Sequence, residues 1–282
     1  MTRITGVFFH KIFSLEPGPV IGDKFINFPA VMSEEIKLPN VRLFEPKPVD
    51  EKILLEVHTP EYLNEVRKAW YYKRARYSVG GAIEAAERIW KKQIYNALVF
   101  NSAAGHHAGR NYGWGGTYLS CEGPVVVYMR RNYNVKKFAI IDTDRHHGDG
   151  TRDIFSQDSN VLHVCFCNTN YISDDGTKVD VDVGWNITDE EYLNLVENEF
   201  IKRAKKFKPA FILHNFGHDT CKGDYGDIGL SRNFFIKLAK LVKDVADEIC
   251  DGRYIIITHG GSRRDVAEYI FPRIIRILSD NF

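Results

Sequence analysis

A chain of 282 residues suits one large α/β domain as well as two smaller ones, and a single domain over 1–282 is the working expectation. With 44% hydrophobic and 27% charged residues, and 38 basic side chains against 37 acidic ones, it has the composition of a globular protein with a sizeable core and no net field for nucleic acid. No apolar run approaches the ~20 residues of a membrane span, and the N-terminal MTRITGVFFHKIF lacks the apolar core and cleavage site of a secretory signal, so a cytoplasmic location is expected.

From Glu16 to Pro48 six prolines punctuate the chain, which predicts surface loops. The tyrosine-rich stretch AWYYKRARY follows between two predicted helices; its Lys73, Arg74 and Arg76 read as solvated charge over buried rings. Short apolar runs at Ala97 to Asn101, Phe138 to Asp142, Val161 to Phe166, Ala210 to Asn215 and Tyr254 to Thr258 then read as buried strands. The last three gaps hold predicted helices over Thr188 to Lys206, with a capping box of Thr188 and Glu191, over Ser231 to Cys250, and near Asp265 to Leu278. Continuous apolar strands joined by crossover helices predict a mainly parallel sheet covered on both faces. The five cysteines, Cys121, Cys165, Cys167, Cys221 and Cys250, form no C-x-x-C pair and read as reduced core thiols.

Ligands of open parallel sheets bind beyond the carboxyl ends of the strands, so the polar residues just after each strand matter most. There the sequence places NSAAGHHAGR, DTDRHHGDGT, HNFGHDTCKGD and THGGSRRD, which together contain seven of the ten histidines. Asp144 and His146 are two apart and can point to one side of an extended segment, and Asp219 can complete the set from a neighbouring strand end. Two carboxylates and one imidazole leave open positions for water and substrate. Zn2+ is the first choice for the ion, while Fe2+, Mn2+ and Co2+ also suit a mixed oxygen and nitrogen shell. His106 and His107 can divide proton transfer between them, with Asp142 and Asp149 available to fix their tautomers.

These motifs resemble those of the histone deacetylase family within the arginase/deacetylase superfamily, which also includes acetylpolyamine amidohydrolases. The resemblance rests on GHHA at Gly105 to Ala108, DTDRHHGDGT at Asp142 to Thr151, GHD at Gly217 to Asp219 with Asp224 beyond, and Gly260-Gly261. It extends to VHTPEYL, GGTYLS and WNITDEEYL in the same order, nearly the length of the chain. It implies a three-layer α/β/α fold and metal-dependent hydrolysis of an N-acyl amide, such as acetyl-lysine or an acetylpolyamine, to carboxylate and free amine. Asp144, His146 and Asp219 would be the ligands of one divalent ion, His107 the general base and acid oriented by Asp149, and His106 the electrostatic partner held by Asp142. The partner is then a small acylated amine or acyl-lysine; no nucleic acid or membrane is implied. The oligomeric state is left open, and so is a monovalent cation, because Val161 stands where a hydroxyl side chain commonly assists.

Two positions depart from the family pattern. Ser262 follows Gly260-Gly261 where a tyrosine normally donates to the developing oxyanion, and Gly116 replaces an aromatic residue of the substrate tunnel. His259, Arg263 and Tyr171 are candidates for the missing donor. With Ser262 and Gly116 at these positions the expected substrate is a non-standard acylated amine or metabolite and not simple acetyl-lysine, and Arg110 and Arg263, beside the motifs, could admit a carboxylate or phosphate on it. The alternative reading is an acyl-lysine-binding protein that retains the metal but has weak chemistry.

Overall fold

The computed structural model describes residues 3–281. Its strands are β1 (Thr5–Phe8), β2 (Val41–Phe44), β3 (Asn96–Val99), β4 (Phe138–Asp142), β5 (Val161–Cys167), β6 (Tyr171–Ile172), β7 (Lys178–Asp182), β8 (Phe211–Phe216) and β9 (Tyr254–Thr258). They form one sheet in the order β2-β1-β3-β9-β8-β4-β5-β7-β6, and every neighbouring pair is parallel except β6 with β7.

The central strands carry apolar side chains at successive positions because both faces are covered. Ile140, Leu213, Ile255 and Ile257 pack with Val79, Ala82, Val125 and Met129 of the helices Tyr72–Trp90 and Glu122–Tyr133. Ile141, Ile212 and Ile256 pack on the other face with Leu238 and Val242 of Arg232–Ile249 and Phe271 and Ile274 of Arg264–Leu278. Full burial of each such side chain contributes roughly 1.5–3 kcal/mol. The result is the three-layer α/β/α fold expected from the sequence.

The predicted strand positions agree with β3, β4, β5, β8 and β9 to within two residues. Thr188 caps its helix through a full capping box, and the run continues through a π-helical stretch, Val196–Ile201, to Phe207. Two expectations are corrected. The proline-punctuated segment contains β2, which pairs with β1 at the sheet edge, and Lys24 from that segment is buried, donating to the carbonyls of His259 at 2.5 Å and Gly260 at 3.2 Å. AWYYKRARY begins in the turn that follows the helix Pro60–Val66 and then enters the helix Tyr72–Trp90; Lys73 is exposed as expected, but Arg74 is buried and clamps the Glu16 carbonyl with both terminal nitrogens at 3.0 Å, and Trp70 is exposed. No helix among the described residues is long and apolar enough to cross a membrane.

Candidate metal centre and active site

The carboxyl ends of β3, β4, β8 and β9 converge on a cavity of about 150 Å³ whose lining includes His106, His107, Asp144, His146, Tyr225 and His259. The loop after β4 supplies Asp144 and His146, and the loop after β8 supplies Asp219. Their donor atoms face one another: His146 Nδ1 is 3.1 Å from Asp144 Oδ1 and 3.0 Å from Asp219 Oδ2.

Backbone amides fix both carboxylates. Gly260 N–H donates to Asp144 Oδ2 at 2.8 Å, and Arg145 N–H donates to Asp219 Oδ1 at 3.1 Å. A side chain on Gly260 would begin 2.3 Å from Asp144 Oδ2 and 2.7 Å from the Tyr225 hydroxyl, so only glycine lets carboxylate and phenol meet this turn. Burial, and then the charge of Asp144, push the Asp219 carboxyl up. Two buried carboxylates and an imidazole, with open positions around them, fit a divalent cation that offsets their charge.

The histidine pair is held by two carboxylates. His106 Nδ1 lies 2.8 Å from Asp142 Oδ2 and His107 Nδ1 lies 2.7 Å from Asp149 Oδ1. Burial disfavours charge on His106, but Asp142 and Asp144 outweigh it and push the imidazole up to about 10. Burial, then the charge of His106, pulls His107 below its ordinary value. Trp114 donates to Asp149 Oδ2 at 2.9 Å and lays its ring over His107 with centroids 4.0 Å apart.

The structure does not bring four of the expected substrate contacts to this cavity. Ser262 turns its hydroxyl to Asp224 Oδ1 at 2.8 Å, because Asp224 also collects the backbone amides of Ser262 and Arg263 and so clamps the turn. Arg263 pairs with Asp265 and donates to the Lys222 carbonyl; Arg110 donates to the Ile154 carbonyl; Tyr171 lies exposed on β6. Gly116 does line the cavity, with φ of +82°, and a side chain there would start 2.7 Å from the Pro19 carbonyl. Val20 and Ile21 therefore build the wall beside it, brought in by the N-terminal segment. His214 also stays out of the site, as a satisfied core histidine between Tyr254 and Thr143.

Sequence reasoning missed Tyr225 and Trp114. Tyr225 follows Asp224 directly; its ring is half exposed at the mouth, while its hydroxyl reaches inward and accepts the Gly261 N–H at 2.8 Å. An aromatic residue next to a strand-end acid was the available signal. Trp114 stands one residue before the GGTYLS block, where an aromatic missing from the block itself could have been sought.

A parallel sheet with carboxylates and imidazoles converging on a small cavity at its carboxyl edge defines a metal-centred α/β protein of the deacetylase-like class. The chain belongs to the histone deacetylase domain family, which it matches over residues 26–278. It is 29% identical over 247 residues to a probable deacetylase of Archaeoglobus fulgidus, covering 78% of this chain and 68% of that one. It is also similar to human histone deacetylase 9, at 27% identity over 66% of this chain and 20% of the relative, and to the zebrafish (Danio rerio) polyamine deacetylase HDAC10, at 22% over 67% and 30%. Thus the chain spans about two thirds of the archaeal relative and under a third of these two animal ones. The crystal structure of the HDA15 HD domain shares the fold, with a TM-score of 0.85 and 20% identity over 99% of this chain and 90% of that one.

Proposed function

We propose that this chain is a metal-dependent deacylase that hydrolyses an N-acyl amine, with acetyl as the fitting acyl group, to carboxylate and free amine. The observation that carries the reading is one small cavity lined by Asp144, His146 and the Asp-oriented pair His106 and His107, with the buried Asp219 carboxylate against His146. The names of the deacetylase relatives support it. Asp144, His146 and Asp219 would hold the ion, with Zn2+ first among the candidates. When bound, such an ion supplies a Lewis acid for the amide carbonyl and lowers the pKa of a water.

The protein's own groups do the rest. Asp149 fixes Nδ1 of His107, which leaves Nε2 to take a proton from the attacking water and return it to the departing amine. His106, held by the buried Asp142 at 2.8 Å, would oppose the negative charge that develops beside it. Tyr225 takes the place that Ser262 cannot fill: the Gly261 amide donates to its oxygen, so its own proton is free for the oxyanion. A cavity of about 150 Å³ suits a small acyl group with the start of an aliphatic arm. Trp114, Tyr225 and Trp185 line the adjoining groove, which suits acyl-lysine or an acetylpolyamine. Arg110 and Arg263 are engaged elsewhere, and a carboxylate or phosphate on the substrate loses its support.

The test is a pair of variants. Tyr225→Phe should lower kcat on an acetyl-lysine peptide by about 10²–10³-fold, the usual cost of one oxyanion donor. Ser262→Ala should leave kcat within a few-fold, since that hydroxyl belongs to Asp224. The opposite ranking would return the donor role to Ser262.

A further inference from the structure

We propose that the chain has a second, thiolate-rich transition-metal site, formed by His147, Cys165, Cys167 and Asp180. Sequence spacing set these cysteines aside as core thiols, because their partners come from other segments. Cys165 and Cys167 alternate on β5, so both thiols project from one face. Asp180 stands directly opposite Cys165 on β7 and shares that face. His147 reaches in from the loop after β4, the strand on the other side of β5.

The four donor atoms lie within 4.8 Å of one another. His147 Nδ1 is 3.8 Å from Cys167 Sγ and 3.5 Å from Asp180 Oδ1. Ligand atoms of a tetrahedral site with zinc-type bonds stand about 3.3–3.8 Å apart, so these separations need little adjustment. The outer groups also match. Gly148 N–H points at Cys165 Sγ at 3.4 Å and the Thr169 hydroxyl lies 3.4 Å from Cys167 Sγ, the donors that orient thiolate ligands.

The charges also balance. Two thiolates and a carboxylate around a divalent ion leave one net negative charge, and Arg152, 2.6 Å from Asp180 Oδ1, cancels it. Both thiols are buried, whereas the His147 side chain keeps 31% of its surface and lines a cavity of about 360 Å³ through which an ion can enter. Two sulfurs, a nitrogen and an oxygen select Zn2+ or Co2+ over Mg2+ or Ca2+. The ion would tie β5 and β7 to the loop that carries Asp144 and His146.

The experiment is a titration of reduced, metal-stripped full-length protein with Co2+ alone, read by elemental analysis and by the thiolate-to-cobalt charge-transfer band in the near ultraviolet. Wild type should take up two equivalents, one of them producing the band. Asp144→Ala should keep the band and lose the other equivalent; Cys167→Ser should lose the band and keep the other. If Cys167→Ser does not fold, the band of wild type and Asp144→Ala decides alone. Saturation at one equivalent without the band overturns the site, as does a Cys165–Cys167 disulfide, seen by mass, that persists under reductant. The readout is independent of amide hydrolysis, so it stands or falls apart from the deacylase reading.

Discussion

Asp219→Ala should remove one equivalent of divalent metal per chain and take turnover with it. Asp219 is fully buried, and its carboxylate faces His146 at 3.0 Å. Altering a group that merely supports a metal ligand costs about 10–100-fold in affinity, and removing a ligand costs more. The substitution also leaves the Arg145 amide without its acceptor, a loss of about 1–3 kcal/mol. Asp144→Ala is a less clean choice, because Asp144 also accepts the Gly260 amide and holds the turn beside Tyr225. Elemental analysis after dialysis at fixed free Zn2+ gives the answer. Unchanged metal content together with lost turnover would make Asp219 a proton-handling group and not a ligand.

His107→Ala should lower kcat by about 10²–10⁴-fold with metal content unchanged. The imidazole is clamped from two directions, by Asp149 at Nδ1 and by the Trp114 ring on its face, and it lines the cavity beside the proposed ligands. Such fixation is what a base needs to keep one nitrogen aimed at water. His106→Ala should behave differently. Its loss strands the buried Asp142 carboxylate without its imidazole partner, and breaking a buried pair costs about 3–5 kcal/mol, so a lower Tm should accompany any loss of rate. Wild-type kcat in His107→Ala would move the base to another residue.

The central strands were legible because β4, β8 and β9 are apolar at successive positions, the mark of burial on both faces. The cluster of Asp144 and His146 was legible because both follow one strand end at close spacing. Thr5–Phe8 was not, since four residues including Gly6 carry too short a pattern, and β2 lay inside a proline-rich segment. Lys178 and Asp180 are polar yet buried in β7; Lys178 is satisfied by the Val161 carbonyl and Asp180 by Arg152, pairings that no local pattern reveals. Arg110 and Arg263 adjoin the motifs along the chain and Tyr171 carries a suitable hydroxyl, but neither sequence proximity nor chemistry is nearness in space. Ser262 and the proposed donor Tyr225 are brought together only by the fold: Asp224 holds the serine while the residue after it faces the cavity. The walls from Val20 and Ile21 had no sequence signal at all.

The most direct test of metal-dependent deacylation is a product count. Zn2+-loaded wild type is incubated with an N-acetyl-lysine peptide and with N-acetylpolyamines, before chelation, after it, and after Zn2+ is restored. Acetate and free amine should appear in equal amounts from at least one of these substrates, both should be lost on chelation, and both should return with the metal. No acetate from fully metal-loaded protein, or release undiminished after complete metal removal, would contradict it.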